Sequence, residues 1–218
     1  MTHRQLKEAL QQAAEPAYRD FAAALIPGET RLLGVRLPHL RKLARQLAKQ
    51  DWRGFLNEEP QNASFEELMV RALLPAYAPD ADCAERLRFL LREQPRLDNW
   101  SLCDSCCATC KFAAQHRAEV WDALQPLLRS HAEFGIRFAL VMALFHFVPD
   151  AAWAATVTRI LPTLHYGAKY ADLAAAWCAC EIALRYPHLR ETLMAPDFLP
   201  QPILSLTLRK IRESRRTL

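Results

Sequence analysis

Residues 134–147 read Phe134-Gly-Ile-Arg137-Phe-Ala-Leu-Val-Met-Ala-Leu-Phe-His146-Phe147, and this stretch decides the fold class. Drawn as a helix, it is apolar on nearly every side, which is typical of a helix that is surrounded by other helices. It is too short to span a membrane, and it contains Arg137 and His146. The pattern therefore predicts a central buried helix. A fainter copy occurs earlier, where Val70–Leu74 echoes Ile136–Leu140.

The remaining segments have the same helical period and are separated by Pro or short polar turns. The 218-residue chain contains 5 Gly and is 51% hydrophobic, which argues against a disordered chain and against an all-β fold with many tight turns. Helices are predicted over residues 4–13, 17–25, 38–49, 51–57, 64–77, 81–93, 99–114, 117–128, 133–147, 151–161, 169–186, 188–194 and 202–214. We therefore expect an all-α superhelix, a solenoid of stacked helix pairs, that forms a single domain over residues 1–218.

Polar residues at the predicted helix starts support these boundaries. Ser64 is followed three residues later by Glu67, the pattern of a capping box. Asp51 and Asp80 precede predicted helices and are expected to be N-caps.

The charge and the cysteine count indicate the class of protein. The chain has 28 basic and 24 acidic residues, a net charge of +4. An odd count of seven cysteines favours reduced thiols, and residues 1–7 are not followed by the apolar segment of a signal peptide. We expect a cytoplasmic protein. The chain has no Gly-rich phosphate loop, no H-E-x-x-H and no plausible Ser/His/Asp order, so we expect no metal and no nucleotide cofactor.

The predicted helix from Asn99 to Ala114 carries the first candidate site. At about 100° per residue, Trp100, Asp104 and Lys111 fall within roughly 40° of one another, so an aromatic ring, a carboxylate and an ammonium are expected to share one line.

Beside that line, four cysteines form a stripe: Cys103, Cys106, Cys107 and Cys110. Their two interleaved C-x-x-C spacings raise the possibility of a metal or redox site. The alternative is helix packing, because a free cysteine behaves as a small buried apolar residue. Four thiols on one stripe cannot readily surround an ion tetrahedrally, so the packing interpretation is favoured.

Two further helices carry candidate residues. Arg137 is the one fixed charge within the apolar residues 134–147, and burial makes an acceptor necessary. It would serve either a structural ion pair or the positioning of a catalytic carboxylate or phosphate. Tyr170, Trp177 and Glu181 share a face of the helix predicted over residues 169–186, a pattern that packing in the core also produces.

Basic residues cluster near both ends of the chain. Gly34-Val35-Arg36-Leu37-Pro38-His39-Leu40-Arg41-Lys42 would put a loop and a helix start against a phosphate. The segment from Leu208 to Arg216 contains five basic residues, including Lys210, Arg212, Arg215 and Arg216. Each cluster is either a phosphate contact or a solvated face.

Together these motifs resemble the AlkD-like DNA alkylation repair proteins, a family of HEAT-like repeat DNA glycosylases. The resemblance is carried, in order, by Gly34-Val35-Arg36-x-Pro38-x-x-Arg41-x-Leu43, Asn99-Trp100-x-x-x-Asp104, Phe134-x-x-Arg137, Ala174-x-x-Trp177 and Lys210-Ile211-Arg212. It covers most of the chain from about residue 30 to 215, and the cysteine run is closest to the shorter bacterial members.

The resemblance implies removal of N3- or N7-alkylated purines from double-stranded DNA by a monomer that needs no cofactor and is nucleoid-associated when bound. Trp100 and Trp177 match the tryptophans of the family's cleft, Asp104 matches the catalytic carboxylate and Arg137 the arginine beside it. On this basis we predict that Asp104 pairs with Arg137. The expected DNA contacts are Arg36, Arg41, Lys42, Lys111, Lys210 and Arg212.

At three positions the chain departs from active relatives. Ala143, Phe145 and Cys180 occupy positions where those relatives carry basic residues. The family also contains paralogues that bind unusual DNA structures without excising a base. A non-catalytic scaffold for duplex or branched DNA is therefore the alternative function, and a helical-repeat module that binds proteins is a third.

Overall fold

A computed structural model describes residues 1–214 of the chain. Arg215 and Arg216, of the basic segment near the end, lie outside the described residues. Within that range the structure is 72% helical and contains no strand. The chain divides into two compact units, unit 1 over Met1–Phe112 and unit 2 from Ala113 onward.

Unit 1 contains seven α-helices among the described residues. They are α1 (His3–Gln12), α2 (Pro16–Leu25), α3 (Leu37–Leu47), α4 (Trp52–Asn57), α5 (Phe65–Tyr77), α6 (Cys83–Glu93) and α7 (Trp100–Thr109). Helix α5 is the centre of this unit, because it packs against α3, α7, α6 and α1. Its residues from Phe65 to Pro75 are all buried, including the charged side chains of Glu66, Glu67 and Arg71.

Unit 2 contains six α-helices among the described residues. They are α8 (Arg117–Leu128), α9 (Glu133–His146), α10 (Ala151–Ile160), α11 (Lys169–Arg185), α12 (Pro187–Met194) and α13 (Gln201–Glu213). Helix α11 packs against α9, α13, α12 and α10. Helix α9 is buried along nearly its whole length, as residues 134–147 predict.

The order of packing identifies the fold class. In unit 1 α3 packs on α5 and α5 on α7, and in unit 2 α9 packs on α11 and α11 on α13. Contacts between every second helix along the chain are typical of α-α repeats. The predicted all-α class of helix pairs is confirmed. That residues 1–218 form a single domain stays a prediction.

The helix starts confirm two of the three predicted caps. The Ser64 hydroxyl accepts a hydrogen bond from the Glu67 amide while the Glu67 carboxylate accepts one from the Ser64 amide, and Asp51 caps α4. The prediction for Asp80 is wrong. Asp82 caps α6, whereas the Asp80 carboxylate accepts hydrogen bonds from Trp52 Nε1 and from Arg53.

Candidate functional site

Helix α7 presents the first part of the candidate site. Asn99 caps the helix, because its Oδ1 accepts a hydrogen bond of 3.0 Å from the Leu102 amide. Trp100 and Asp104 follow at i and i+4, so both side chains lie on one face, and both are half-buried. The sequence prediction that an indole and a carboxylate share a line on this helix is confirmed.

The start of α7 is held by the loop that follows α2. Asn99 Nδ2 donates to Glu29 Oε2 at 3.1 Å, and Arg31 Nη2 donates to Asp98 at 2.8 Å. Arg31 also donates to both oxygens of Glu29. This polar network ties Asp98 and Asn99, the two residues before the helix, to one loop, and so anchors the start of the helix that carries Trp100 and Asp104.

The prediction for Lys111 needs correction. Helix α7 ends at Thr109, because Cys110 adopts ψ of 56° and its amide bonds instead to the Cys107 carbonyl. Lys111 begins a separate 3₁₀ turn over Lys111–Ala114. It therefore does not continue the line of Trp100 and Asp104 on α7.

Three cysteines of α7, and Cys110 directly after it, are packed in the core of unit 1. Cys103, Cys106, Cys107 and Cys110 are all fully buried, and the Cys106 thiol donates to the Ala72 carbonyl of α5 at 3.3 Å. The hydrogen bond with Cys110, together with burial, raises the pKa of Cys106 well above its ordinary value. Burial and the contact with Cys103 do the same for the pKa of Cys107. The raised pKa values keep the thiols of Cys106 and Cys107 protonated, in agreement with the packing interpretation.

The Gly34–Arg36 motif has a structural reason. Buried Glu66 accepts hydrogen bonds from the amides of Leu33, Gly34 and Val35, which draws the loop onto α5. Gly34 has φ of +96°, and a Cβ there would lie 2.5 Å from the Glu15 carbonyl oxygen, so only glycine fits.

Arg36 emerges from this loop and is exposed. Its guanidinium donates to both carboxylate oxygens of Glu15 at 2.9–3.1 Å and lies 4.6 Å from the centre of the Tyr18 ring. The hydrogen bond from Arg36 lowers the pKa of Glu15, so the pair is charged at neutral pH. The structure thus places the predicted DNA contact Arg36 at the surface, but with a carboxylate already beside it.

Two of the predicted DNA contacts of unit 1 line one cavity. Arg41 of α3 and Lys111 border a cavity of about 360 Å³, together with Arg45, Tyr77, Ala108 and Thr109. Lys42 is exposed on α3 and is not among the lining residues. The sequence reading missed Arg45 and Tyr77. The i, i+4 spacing of Arg41 and Arg45 on a predicted helix was the signal that could have identified Arg45.

In unit 2, Arg137 braces the start of α11. It is 6% exposed, its Nη1 donates to the Tyr170 carbonyl at 2.9 Å, and its guanidinium lies 5.9 Å from the centre of the Tyr170 ring. One turn earlier on α9, Glu133 accepts a hydrogen bond of 2.6 Å from the Tyr170 amide. Glu133 and Arg137 therefore bind the main-chain amide and carbonyl of Tyr170. The sequence did not predict this role for Glu133.

Trp177 lies half-buried on α11, and its ring meets Phe145 of α9 edge to face with centres 6.0 Å apart. Glu181 follows one turn later and lies 3.6 Å from Arg185. Behind this face, the Cys178 thiol donates to the Leu140 carbonyl at 3.2 Å, and burial raises its pKa.

The remaining predicted contacts of unit 2 are on α13, which packs against α11. Lys210 is half-buried there and Arg212 is exposed. The meeting of Trp100, Asp104, Arg137 and Trp177 in one catalytic site stays a prediction, as does the pairing of Asp104 with Arg137.

Among the described residues, none of the helices is both long enough and apolar enough to cross a membrane. No curated protein and no solved structure is significantly similar to the chain. Residues 6–191, however, match the family described as DNA alkylation repair enzyme. This match includes the Gly34–Arg36 loop, the Trp100–Asp104 face of α7, Arg137 and Trp177. The chain therefore belongs to the DNA alkylation repair enzyme family.

Proposed function

We propose that the protein is a monofunctional DNA glycosylase that hydrolyses the N-glycosidic bond of N3- and N7-alkylated purines. The observation that supports this most directly is the Trp100–Asp104 face of α7, in a chain that belongs to a family of DNA alkylation repair enzymes. An indole and a carboxylate one turn apart are the groups that this reaction needs, and the network around Asn99 holds them in place.

The chemistry follows from the charge of the substrate. A purine alkylated at N3 or N7 is cationic, so it is already a good leaving group. As the glycosidic bond breaks, the sugar acquires oxocarbenium character, and a fixed carboxylate stabilises that charge and orients the attacking water. In this proposal the carboxylate is Asp104.

The indole of Trp100 supplies a second kind of stabilisation, because the face of an indole attracts cations. Trp177 has the same role from α11, and Arg137 holds Asp104 ionised. Arg36, Arg41, Lys42, Lys111, Lys210 and Arg212 contact the phosphates of double-stranded DNA. The reaction requires no metal and no cofactor, and the protein acts as a monomer.

The test is the release of free 7-methylguanine and 3-methyladenine from methylated duplex DNA, measured by chromatography. The wild type is expected to release both bases and to leave abasic sites. A heat-denatured sample and unmethylated DNA provide the controls for spontaneous depurination. Binding to the same duplex with no base release above these controls would rule out the glycosylase.

The second candidate is a non-catalytic scaffold for duplex or branched DNA. It is favoured by Ala143 and Cys180, which are buried, and by Phe145, which packs against Trp177. According to the resemblance, active relatives have basic residues at these positions, so this chain has fewer charges for DNA. A scaffold is expected to bind branched DNA more tightly than duplex, with a steep dependence on salt, and to release no base.

A further inference from the structure

The cavity beside the end of α7 combines three positive charges with no lining carboxylate. Arg41 and Arg45 lie one turn apart on α3, and Lys111 follows α7. The other lining residues are Tyr77, Ala108 and Thr109. Every polar side chain that lines the cavity can therefore donate a hydrogen bond.

The two arginines that line this cavity differ from the other arginines of unit 1. The other arginines of the unit each lie near a carboxylate or, in the case of Arg86, donate to main-chain carbonyls. Within residues 1–214, Arg41 and Arg45 have no carboxylate within ion-pair distance. Arg41 and Arg45, the two described arginines of unit 1 with neither a carboxylate nor a main-chain carbonyl as acceptor, thus line the same cavity.

Arg41 is also incompletely hydrogen-bonded. Its Nε is buried and has no hydrogen-bond partner among the described residues. A buried N–H without an acceptor is rare in folded proteins, because burial removes its hydration without a compensating hydrogen bond. Since this Nε is closed to solvent, an anion in the cavity would supply its acceptor only after the Arg41 side chain rotates.

Arg45 is already oriented. Its guanidinium lies 4.7 Å from the centre of the Tyr77 ring, and its Nη2 donates to the Tyr77 hydroxyl at 3.3 Å. Stacking on an aromatic ring holds the planar guanidinium in place and leaves its remaining donors available, and this geometry suits the paired oxygens of a phosphate.

The helix ends nearby do not neutralise these charges. Tyr77 and Thr109 are the last residues of α5 and α7, and a helix C-terminus carries roughly half a negative charge. Two such ends amount to roughly one negative charge against three positive ones, so the cavity keeps a net positive charge.

We infer that this cavity binds one phosphate of the DNA backbone, with Arg41, Arg45 and Lys111 as its ligands and Tyr77 as the platform for Arg45. The inference rests on the proposed binding of DNA and adds Arg45 and Tyr77 to it. Thr109 is five residues from Asp104 on α7, about 7.5 Å along the axis. The cavity therefore fixes a phosphate at one end of the helix that carries Asp104.

The test measures binding of unmethylated duplexes in which one phosphate at a time is replaced by a neutral methylphosphonate. For wild type, replacement at one or two adjacent positions is expected to weaken binding on the order of tenfold. The Arg45→Met and Arg41→Met variants should bind the natural duplex more weakly, lower the salt slope by about one unit each, and lose sensitivity at those same positions. Arg88→Met is the matched control, since Arg88 is exposed in the same unit but lies beside Glu85.

Further variants keep the result interpretable. Arg45→Lys keeps the charge but loses the flat stacking surface, so intermediate binding is expected, and Tyr77→Ala should resemble it. Melting temperatures show whether Arg41→Met still folds. If it does not, the test relies on Arg45→Met, because Arg45 is exposed. This assay measures binding and not base release. Weaker binding by Arg45→Met therefore supports the phosphate site even if the protein is a non-catalytic scaffold.

Three results would overturn the inference. One is a methylphosphonate profile that is the same for wild type, Arg45→Met and Arg88→Met, which would place the DNA elsewhere even if alkylated bases are released. Another is that inorganic phosphate competes with duplex DNA for wild type but not for Arg45→Met, while both proteins bind the duplex equally well. The cavity would then bind free phosphate and not the DNA backbone. The third is wild type that binds no duplex at all, which would remove the proposed function as well.

Discussion

Helices α7 and α11 have a similar sequence pattern and differ in how they are held. Each carries a tryptophan followed four residues later by a carboxylate, Trp100–Asp104 on α7 and Trp177–Glu181 on α11. Each also has a buried cysteine whose thiol donates to a carbonyl of the helix behind it. Glu181 lies near Arg185 of its own helix. The pattern of tryptophan and carboxylate is thus not specific enough to identify the catalytic group, and the neighbours of each carboxylate must be considered.

The two helix starts show a second difference. Helix α7 is capped by its own Asn99, whereas the residue before α11 is Ala168, which has no side-chain acceptor. Glu133 of α9 takes over that role by accepting from the Tyr170 amide. Helix α7 thus carries its cap in its own sequence, and α11 depends on α9 for one.

The same comparison extends to the helices behind them. Arg71 of α5 and Arg137 of α9 occupy the same position in the repeated pattern, each four residues after a glutamate and each buried. Arg71 donates to both oxygens of Glu93 and to three carbonyls at the end of α4. In unit 2, Arg137 donates to the carbonyl of Tyr170. A buried arginine at this position is therefore an architectural feature before it is a catalytic one.

The largest expected effect on stability comes from the two buried arginines. Arg71→Met leaves Glu93 charged in the core and is expected to lower the free energy of unfolding by about 3–5 kcal/mol. Arg137→Met removes at least the hydrogen bond to the Tyr170 carbonyl and is expected to cost about 1–3 kcal/mol. Urea denaturation measures both losses, and an unchanged free energy of unfolding in either variant would contradict the structural role of that arginine.

An intermediate effect is expected at the two caps. Asn99→Ala removes the cap of α7 and is expected to cost about 1 kcal/mol. Glu133→Ala removes the acceptor for Tyr170 at the start of α11, with a similar expected cost of about 1 kcal/mol. Hydrogen exchange should locate the first loss at the amides of residues 100–103 and the second at residues 169–172. If hydrogen-exchange protection at both helix starts is unchanged in these variants, other contacts hold the two starts in place.

The smallest effect is expected from pH. Burial alone would raise the pKa of Glu29, but its hydrogen bonds from Arg31 and Asn99 outweigh burial, so its pKa is lowered from 4.5. A carboxylate whose pKa is lower in the folded state adds stability above its unfolded pKa and loses it as the pH falls through the folded value. Wild type should therefore lose stability below about pH 4.5 more steeply than Glu29→Gln. Denaturation curves between neutral pH and pH 3 test this, and parallel curves would contradict it.

The sequence predicts helices better than it predicts where they end. The buried segment of α9 is recognisable because it is apolar on nearly every side. The end of α7 is not, because no Gly or Pro follows Thr109 and the turn depends on the main-chain angles of Cys110. For this reason Lys111 was expected on the Asp104 line and instead lies beside Arg41.

Contacts between distant segments account for the other differences. Asp80 and Asp82 both suit a cap, and only the presence of Trp52 and Arg53 beside Asp80 decides between them. Likewise Arg45 and Tyr77 are 32 residues apart, so their stacking has no signature in either segment. Residues that act through a partner far along the chain are the ones that a single sequence does not reveal.

The central claim, that Asp104 is the catalytic group of an alkylpurine glycosylase, is tested most directly by comparing the two carboxylates. The measurement is single-turnover release of 7-methylguanine by wild type, Asp104→Asn and Glu181→Gln at saturating protein. We predict that Asp104→Asn is slower by about tenfold to a thousandfold with DNA affinity nearly unchanged, roughly 1.4 kcal/mol of barrier for each tenfold, and that Glu181→Gln stays close to wild type. If Asp104→Asn releases the base as fast as wild type, the carboxylate is structural and the claim is wrong.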